Sequence, residues 1–144
     1  MVAMLTMGCK YAIKSLLFIS RQGGTVSVKE VSTAIESPPA FTSKILQQLA
    51  LAGIIRSVKG QGGGFIIDDE SKRETKILTI IRAIEGDAIA TSCFLGVNHC
   101  SDEHPCPLHH LYAPIREQLN RKLFNISLFD ILQNNELHDL AKIK

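Results

Sequence analysis

Apolar residues recur at helical spacing in three segments of the first fifty-odd residues. These segments predict three short helices, over residues 11–19, 28–35 and 38–52. Ser27 and Glu30 have the S-x-x-E spacing of a capping box, which marks the start of the second helix. Ser37-Pro38 is typical of the start of the third helix, and Gly53 is typical of its end. Three short helices with a tight turn before the last are typical of a helix-turn-helix motif.

The third predicted helix has an apolar face and a polar face. Its apolar positions, which we expect in the core, are Phe41, Ile45, Leu46 and Leu49. Its polar positions, which we expect to be exposed, are Thr42, Ser43, Lys44, Gln47 and Gln48. The last helix of such a motif places its N-terminal residues in the major groove of DNA. There these side chains can bond to phosphates or base edges, and glutamine can pair with adenine.

A glycine-rich segment separates two β-rich segments directly after this helix. Residues 54–59 and 65–67 flank Gly60-Gln61-Gly62-Gly63-Gly64, which predicts a hairpin, that is, a wing. The glycines let the backbone approach DNA closely, and a P-loop is excluded because the Gly-Lys-Ser/Thr ending is missing. The predicted DNA contacts are Thr42, Ser43, Lys44, Gln47, Arg56, Lys59, Gly60, Gln61, Gly62 and Gly63.

The second half of the chain predicts a dimerisation arm. Residues 68–75 are polar and predict a connection, and residues 77–84 predict an amphipathic helix closed by Gly86. From Leu108 an apolar stripe runs for about sixteen residues, with Pro114 expected to start or kink its helix. A partner subunit would cover this stripe, and the alternative is that it folds back on the first helix. The predicted fold is mainly α with a small β-hairpin wing: residues 1–75 form a winged helix-turn-helix domain, and residues 76–144 form a cysteine-loop segment with a dimerisation helix.

Charge separates the same two halves. The net charge is +2 over 144 residues, but residues 1–66 carry seven lysines and arginines against two acids, and the rest carry nine against twelve. A basic N-terminal half indicates a polyanionic partner, here double-stranded DNA. No apolar run reaches the roughly 18 residues that span a bilayer, and no signal-peptide pattern opens the chain. We therefore expect a cytoplasmic protein without membrane contact.

Three cysteines and a histidine form the candidate metal site. Their spacing is Cys93-x6-Cys100-x5-Cys106-x2-His109, in a segment without apolar periodicity. Thiolates select zinc or iron–sulfur clusters, and zinc sites usually bring cysteines in tighter pairs. His99, His104 and His110 compete as fourth ligand, and thiols that bind nothing are the alternative. Cys9 is expected to be a core residue.

Together these motifs make the sequence resemble the IscR/NsrR/CymR family of bacterial winged-helix transcription regulators, over nearly the whole chain. The matching pieces are Leu5-Thr6 with Lys10-Tyr11-Ala12, Lys59-Gly60-Gln61-Gly62-Gly63-Gly64-Phe65, residues 80–86, the three-cysteine loop and residues 125–132. The resemblance implies a homodimer built on the long helix, with cysteine loops that hold an iron–sulfur cluster. Loss, oxidation or nitrosylation of the cluster would then change the affinity for DNA.

The ligand set follows from the resemblance. Three cysteines and a histidine two residues past the third carry over as Cys93, Cys100, Cys106 and His109, for a 2Fe-2S cluster or alternatively a 4Fe-4S cluster. The first gap has six residues where the iron–sulfur assembly branch has five. The nitric-oxide-sensing branch uses an aspartate on the first helix, where this chain has Lys10 with Cys9 beside it, so Cys9 stays open as a ligand. The cysteine-metabolism branch lacks the cluster cysteines and fits less well.

The sequence thus predicts a DNA-binding transcriptional repressor whose operator affinity depends on an iron–sulfur cluster. The signal would be redox state, iron–sulfur supply or nitric oxide. The alternative is a zinc-stabilised or cluster-free DNA-binding or interaction module of the same fold that senses nothing. An enzyme is not expected, because no acid–base partner stands at a recognisable spacing from the cysteines, and the loop lacks the deaminase H-x-E pattern.

Overall fold

The computed structural model describes residues 4–96 and 101–134. Along these residues short helices surround one antiparallel hairpin, which confirms the predicted mainly α fold with a wing. The elements are α1 (Met7–Gln22), α2 (Val28–Ala34), α3 (Pro39–Leu51), β1 (Arg56–Val58), β2 (Gly64–Ile66), α4 (Asp69–Glu74), α5 (Ile77–Glu85), α6 (Ala88–Thr91), α7 (His109–Leu119), a π-helical turn (Asn120–Phe124) and α8 (Leu128–Leu132).

Local sequence signals set the ends of the first helices. Gly23 ends α1 in the left-handed conformation at φ 71°. The predicted capping box is present: Ser27 Oγ accepts the Glu30 N–H at 3.2 Å, and the Glu30 carboxylate accepts the Ser27 N–H at 2.7 Å. Hydrogen bonding from the Ser27 N–H, and then from the Ser27 hydroxyl, to the Glu30 carboxylate lowers the pKa of Glu30. The start of α3 differs from the expectation, because Pro38 rather than Ser37 is the residue before its first turn.

Close backbone packing requires two of the wing glycines, Gly63 and Gly64. β1 and β2 pair with Val58 opposite Gly64, and Val26 adds two hydrogen bonds to Phe65, of 2.9 and 2.8 Å. At Gly64, where φ is +153°, a Cβ atom would lie 2.2 Å from the Val26 carbonyl oxygen. At Gly63 it would lie 2.3 Å from the Val58 carbonyl oxygen. From the sequence, the glycines of the tip were expected to allow close approach to DNA and a positive φ, whereas close backbone packing also requires Gly63 and Gly64.

The hydrophobic core continues past residue 75. Leu16 of α1, Leu46 of α3 and Ile80 of α5 are fully buried in one cluster. Phe124 and Leu128, far along the chain, are buried in the same cluster. α5 and the segment after α7 share the core of the N-terminal helices, so the predicted boundary at residue 75 does not separate two hydrophobic cores. The division of the chain at this boundary stays a prediction about the functions of the two parts.

Backbone hydrogen bonds fix this return of the chain. The Ile77 N–H donates to the Ile126 carbonyl at 3.0 Å, and the Leu128 N–H donates to the Thr75 carbonyl at 3.0 Å. A single antiparallel bridge joins Lys76 to Ser127 between them. The chain just beyond the helical stripe is thus bonded to the connection between α4 and α5.

One expectation about the second half is wrong. Residues 68–75 contain the helix α4 rather than only a connection, because the Asp68 carboxylate caps it by accepting the Ser71 N–H at 2.7 Å. Pro114 lies inside α7, so it does not begin this helix, and the alternative that it kinks the helix stays a prediction. Glu117 and Arg121, four positions apart, form an ion pair with 3.1 Å between their charged atoms. Within the described residues no helix is long and apolar enough to cross a membrane.

Replacing Gly64 by alanine tests the packing of the wing. Gly64→Ala must move the strand away from Val26, so we expect the free energy of unfolding to fall by more than about 2 kcal/mol in urea denaturation. Gly24→Ala is the matched control, because a Cβ atom there meets nothing within 4 Å. Equal stability of the two variants would contradict the Val26–Phe65 pairing.

Candidate nucleic-acid interface and cysteine segment

Three of the four α3 residues that were predicted to contact DNA have side chains at the surface. Lys44 and Gln47 are exposed and Ser43 is half-buried. The Gln47 side-chain amide donates to Ser43 Oγ at 3.2 Å, so the two side chains lie one helical turn apart on the same surface. These groups can bond to base edges or phosphates.

Thr42 was predicted to be exposed, and this is wrong. It is fully buried, its hydroxyl donates to the Pro38 carbonyl at 2.9 Å, and it shares a hydrogen bond with the Ser37 hydroxyl. Thr42 therefore holds the first turn of α3 and does not reach outward. The sequence could have predicted this burial, because residue 42 precedes the buried residues Ile45, Leu46 and Leu49 by three, four and seven positions and so shares their face of the helix.

The wing stands beside α3. Arg56 and Lys59 are exposed on it, and the tip turns back through a hydrogen bond from the Gly63 N–H to the Gly60 carbonyl at 3.0 Å. Gly60 and Gly62 have φ of 95° and 76°, which favours glycine. Gln47 of α3 and Arg56 of the wing line one cleft of about 440 Å3. The structure thus brings one predicted contact of α3, Gln47, and one of the wing, Arg56, together on one surface.

The structure describes three of the four predicted metal ligands. Cys93 is buried just after α6, Cys106 is half-buried, and His109 is buried at the start of α7. The His109 N–H donates to the Cys106 carbonyl at 3.0 Å, which joins these two residues in one turn. Cys100 lies outside the described residues. Within residues 4–96 and 101–134, no three His, Cys, Asp or Glu side chains come together as a metal site.

Asp102 is a site residue that the sequence interpretation did not single out. Its carboxylate lies 2.7 Å from Nε2 of the buried His109, although Asp102 itself is exposed. The pair lines a polar cleft of about 660 Å3, which His110, Arg116 and Asn120 also line. A separation of seven residues across an irregular segment has no periodic signature, so only the tertiary structure reveals this pair.

Two side chains of the long helix bind the segment that ends at Cys93. Arg116 donates to the Ser92 carbonyl at 3.2 Å, and Asn120 donates to the Ala90 carbonyl at 3.1 Å. The long helix is therefore hydrogen-bonded to the residues directly before a predicted ligand.

Cys9 is a core residue, as predicted. It is fully buried in α1, and burial together with the neighbouring Glu85 carboxylate raises its pKa to about 12. A buried, protonated thiol is a poor metal ligand, because metals bind the thiolate. Cys9 is thus a weaker candidate than His109 for the fourth ligand.

The outward face of α7 is apolar. Leu111 is 70% exposed, Ile115 is 57% exposed, and Phe94, directly after Cys93, is 66% exposed. Phe94 contacts Tyr112 with 5.5 Å between ring centroids, and these residues line a small apolar cleft of about 190 Å3. Leu119, by contrast, packs against the core. The stripe therefore does not fold back entirely, because Leu111, Ile115 and Leu123 stay exposed while its other apolar residues are half-buried.

Comparisons with known proteins agree on one class. The profile of the Rrf2 family, described as an iron-dependent transcriptional regulator, matches residues 5–134. The transcriptional regulator IscR of Pectobacterium carotovorum is 27% identical over 139 residues, which cover 95% of this chain and 84% of that protein.

Two solved structures share the fold. CymR, the global cysteine regulator of B. subtilis, superposes with a TM-score of 0.72 at 21% identity, covering 92% of this chain and 97% of that one. IscR of T. potens superposes with a TM-score of 0.68 at 21% identity, covering 90% and 85%. At such identities the superpositions establish the fold alone.

The structural role of Thr42 can be tested by removing its hydroxyl. Thr42→Val keeps the shape but leaves Ser37 and Pro38 without their partner, so we expect a loss of about 1–2 kcal/mol in the free energy of unfolding, measured in urea. Ser43→Ala, at the neighbouring half-buried position, should leave stability nearly unchanged. A stable Thr42→Val protein would show that the buried hydroxyl contributes little.

Proposed function

Because the chain belongs to the Rrf2 family of transcriptional regulators, we propose that it is a homodimeric repressor whose operator affinity depends on an iron–sulfur cluster. Membership confirms the resemblance inferred from the wing and helix motifs, and it makes the protein a regulator rather than an enzyme. The observation that carries the proposal is that the exposed Gln47 of α3 and the exposed Arg56 of the wing line one cleft.

In the proposed complex, α3 enters the major groove and the wing follows the phosphate backbone. Ser43, Lys44 and Gln47 would bond to base edges and phosphates. Arg56, Lys59 and the tip residues Gly60, Gln61, Gly62 and Gly63 would contact the backbone. Thr42 has no direct contact in this arrangement, because its hydroxyl is bonded inside the domain.

The dimer would form on the apolar face of α7. Leu111 and Ile115 are large, apolar and mostly exposed, and a second copy of the same face would remove them from water. Two α3 helices related by a twofold axis would then read half-sites about one DNA turn, roughly 34 Å, apart. Arg116 and Asn120 would carry a change at the cysteine segment to α7, because they bind the carbonyls of Ser92 and Ala90 and lie on α7 and directly after it.

Three cysteines and a histidine give the chain the donor chemistry of an iron–sulfur site. Cys93, Cys100 and Cys106 supply thiolates, and His109 is the proposed fourth ligand. Histidines that bind metals usually bond to a carboxylate through their second ring nitrogen, which is the arrangement of Asp102 with His109. A bound cluster would supply a centre that oxygen or nitric oxide can alter, and zinc is the alternative that metal analysis distinguishes.

The wing can be tested by the salt dependence of DNA binding. Lys59→Ala should weaken binding to every duplex and reduce the slope of log affinity against log salt by about one unit, as expected for one lost phosphate contact. Titrations at several salt concentrations measure it, and Lys72→Ala, on α4 and paired with Asp69, is the control. An unchanged slope for Lys59→Ala would remove it from the interface.

The cluster can be tested with anaerobically purified protein. We expect visible absorbance and bound iron and sulfide, and Cys106→Ala should lose both while staying a folded dimer by sedimentation. Cys9→Ala should keep the absorbance, because Cys9 lies in the core. A colourless wild-type protein with stoichiometric zinc would contradict sensing by an iron–sulfur cluster, and colour that survives Cys106→Ala would contradict the ligand set.

A further inference from the structure

Phe41 occupies an unexpected position in the first turn of α3. Its spacing to Ile45 predicts a core residue, yet its side chain is 37% exposed, whereas Ile45 and Leu46 are buried. The reason is that Thr42 takes the inward position of this turn, which turns the ring outward. A single exposed apolar residue is ordinary on a protein surface, and what distinguishes Phe41 is its place in the first turn of α3.

The ring is held in place by α1. Tyr11 contacts it edge to face, with 5.7 Å between centroids and 73° between the ring planes. Such a contact fixes the direction of an aromatic side chain without burying it. Phe41 therefore presents an oriented apolar surface at the start of α3.

The first turn offers no side-chain hydrogen bond to a ligand. Its exposed residues Pro38, Pro39 and Ala40 are apolar, and the Thr42 hydroxyl is bonded internally. Base recognition by this turn must then use apolar contact. In the major groove, the apolar group on a base edge is the C5-methyl of thymine, which phenylalanine can contact.

We propose that Phe41 is a specificity-determining residue that contacts a thymine methyl group in each half-site. The inference rests on the proposed binding of DNA by α3. Lys44, one turn further along and exposed, would hold the helix against the backbone while the ring meets the base.

The test replaces thymine by uracil, which removes only the methyl group. The probe is the duplex that the wild-type protein enriches from a random library, with thymines changed to deoxyuridine one symmetric pair at a time. At one pair we expect wild-type affinity to fall about fourfold per half-site, the effect of one methyl group returned to water. Phe41→Ala should bind the thymine duplex more weakly and show almost no further loss with uracil.

Phe129→Ala is the matched control, because it makes the same chemical change on α8, away from α3. It should keep the full uracil penalty, and thermal melting should show that both variants are folded. Equal wild-type affinity for thymine and uracil at every position overturns the inference while DNA binding stands. A Phe41→Ala variant that loses as much affinity as the wild-type protein when thymine is replaced by uracil also overturns the inference while DNA binding stands. If the wild-type protein enriches no duplex, the proposed function and the inference fail together.

Discussion

The return of the chain after the long helix is the constraint on which the rest of the structure depends. Phe124 and Leu128 are buried in the core of the N-terminal helices, and two backbone hydrogen bonds join residues 75–77 to residues 126–128. α7 is therefore attached to the DNA-reading elements through packed side chains rather than through a linker. Packed cores transmit displacement because they deform little.

This attachment gives the cysteine segment a physical route to α3. Arg116 and Asn120 bind the carbonyls of Ser92 and Ala90, and the π-helical turn that starts at Asn120 ends at the buried Phe124. π-helical turns are frequent at functional sites, where they alter the direction of a helix. In the proposed mechanism, a change at Cys93 would bias the position of α7, and α7 would bias the spacing of the two recognition helices.

Position by position, the sequence predicted some parts of the fold well. The capping box at Ser27 and Glu30 depends on two residues three positions apart, so local spacing is enough. Thr42 was expected to be exposed and Phe41 to be buried, whereas Thr42 is buried and Phe41 is exposed. The expectation gave more weight to the polarity of each residue than to its position relative to the buried face of the helix. The sequence did not predict α4, because this helix has no apolar stripe and its N-terminal cap depends on a single carboxylate, that of Asp68.

By itself, the sequence determined the helix-turn-helix with its wing, the basic first half, the cysteine spacing and the family, since each is encoded by residues close together in the chain. Only the tertiary structure decided that Gly64 is required by Val26, that Asp102 bonds to His109, and that Phe124 closes the core. These contacts join residues far apart in the sequence or across irregular segments. Their formation depends on the packing of the whole chain, which no local period or motif records.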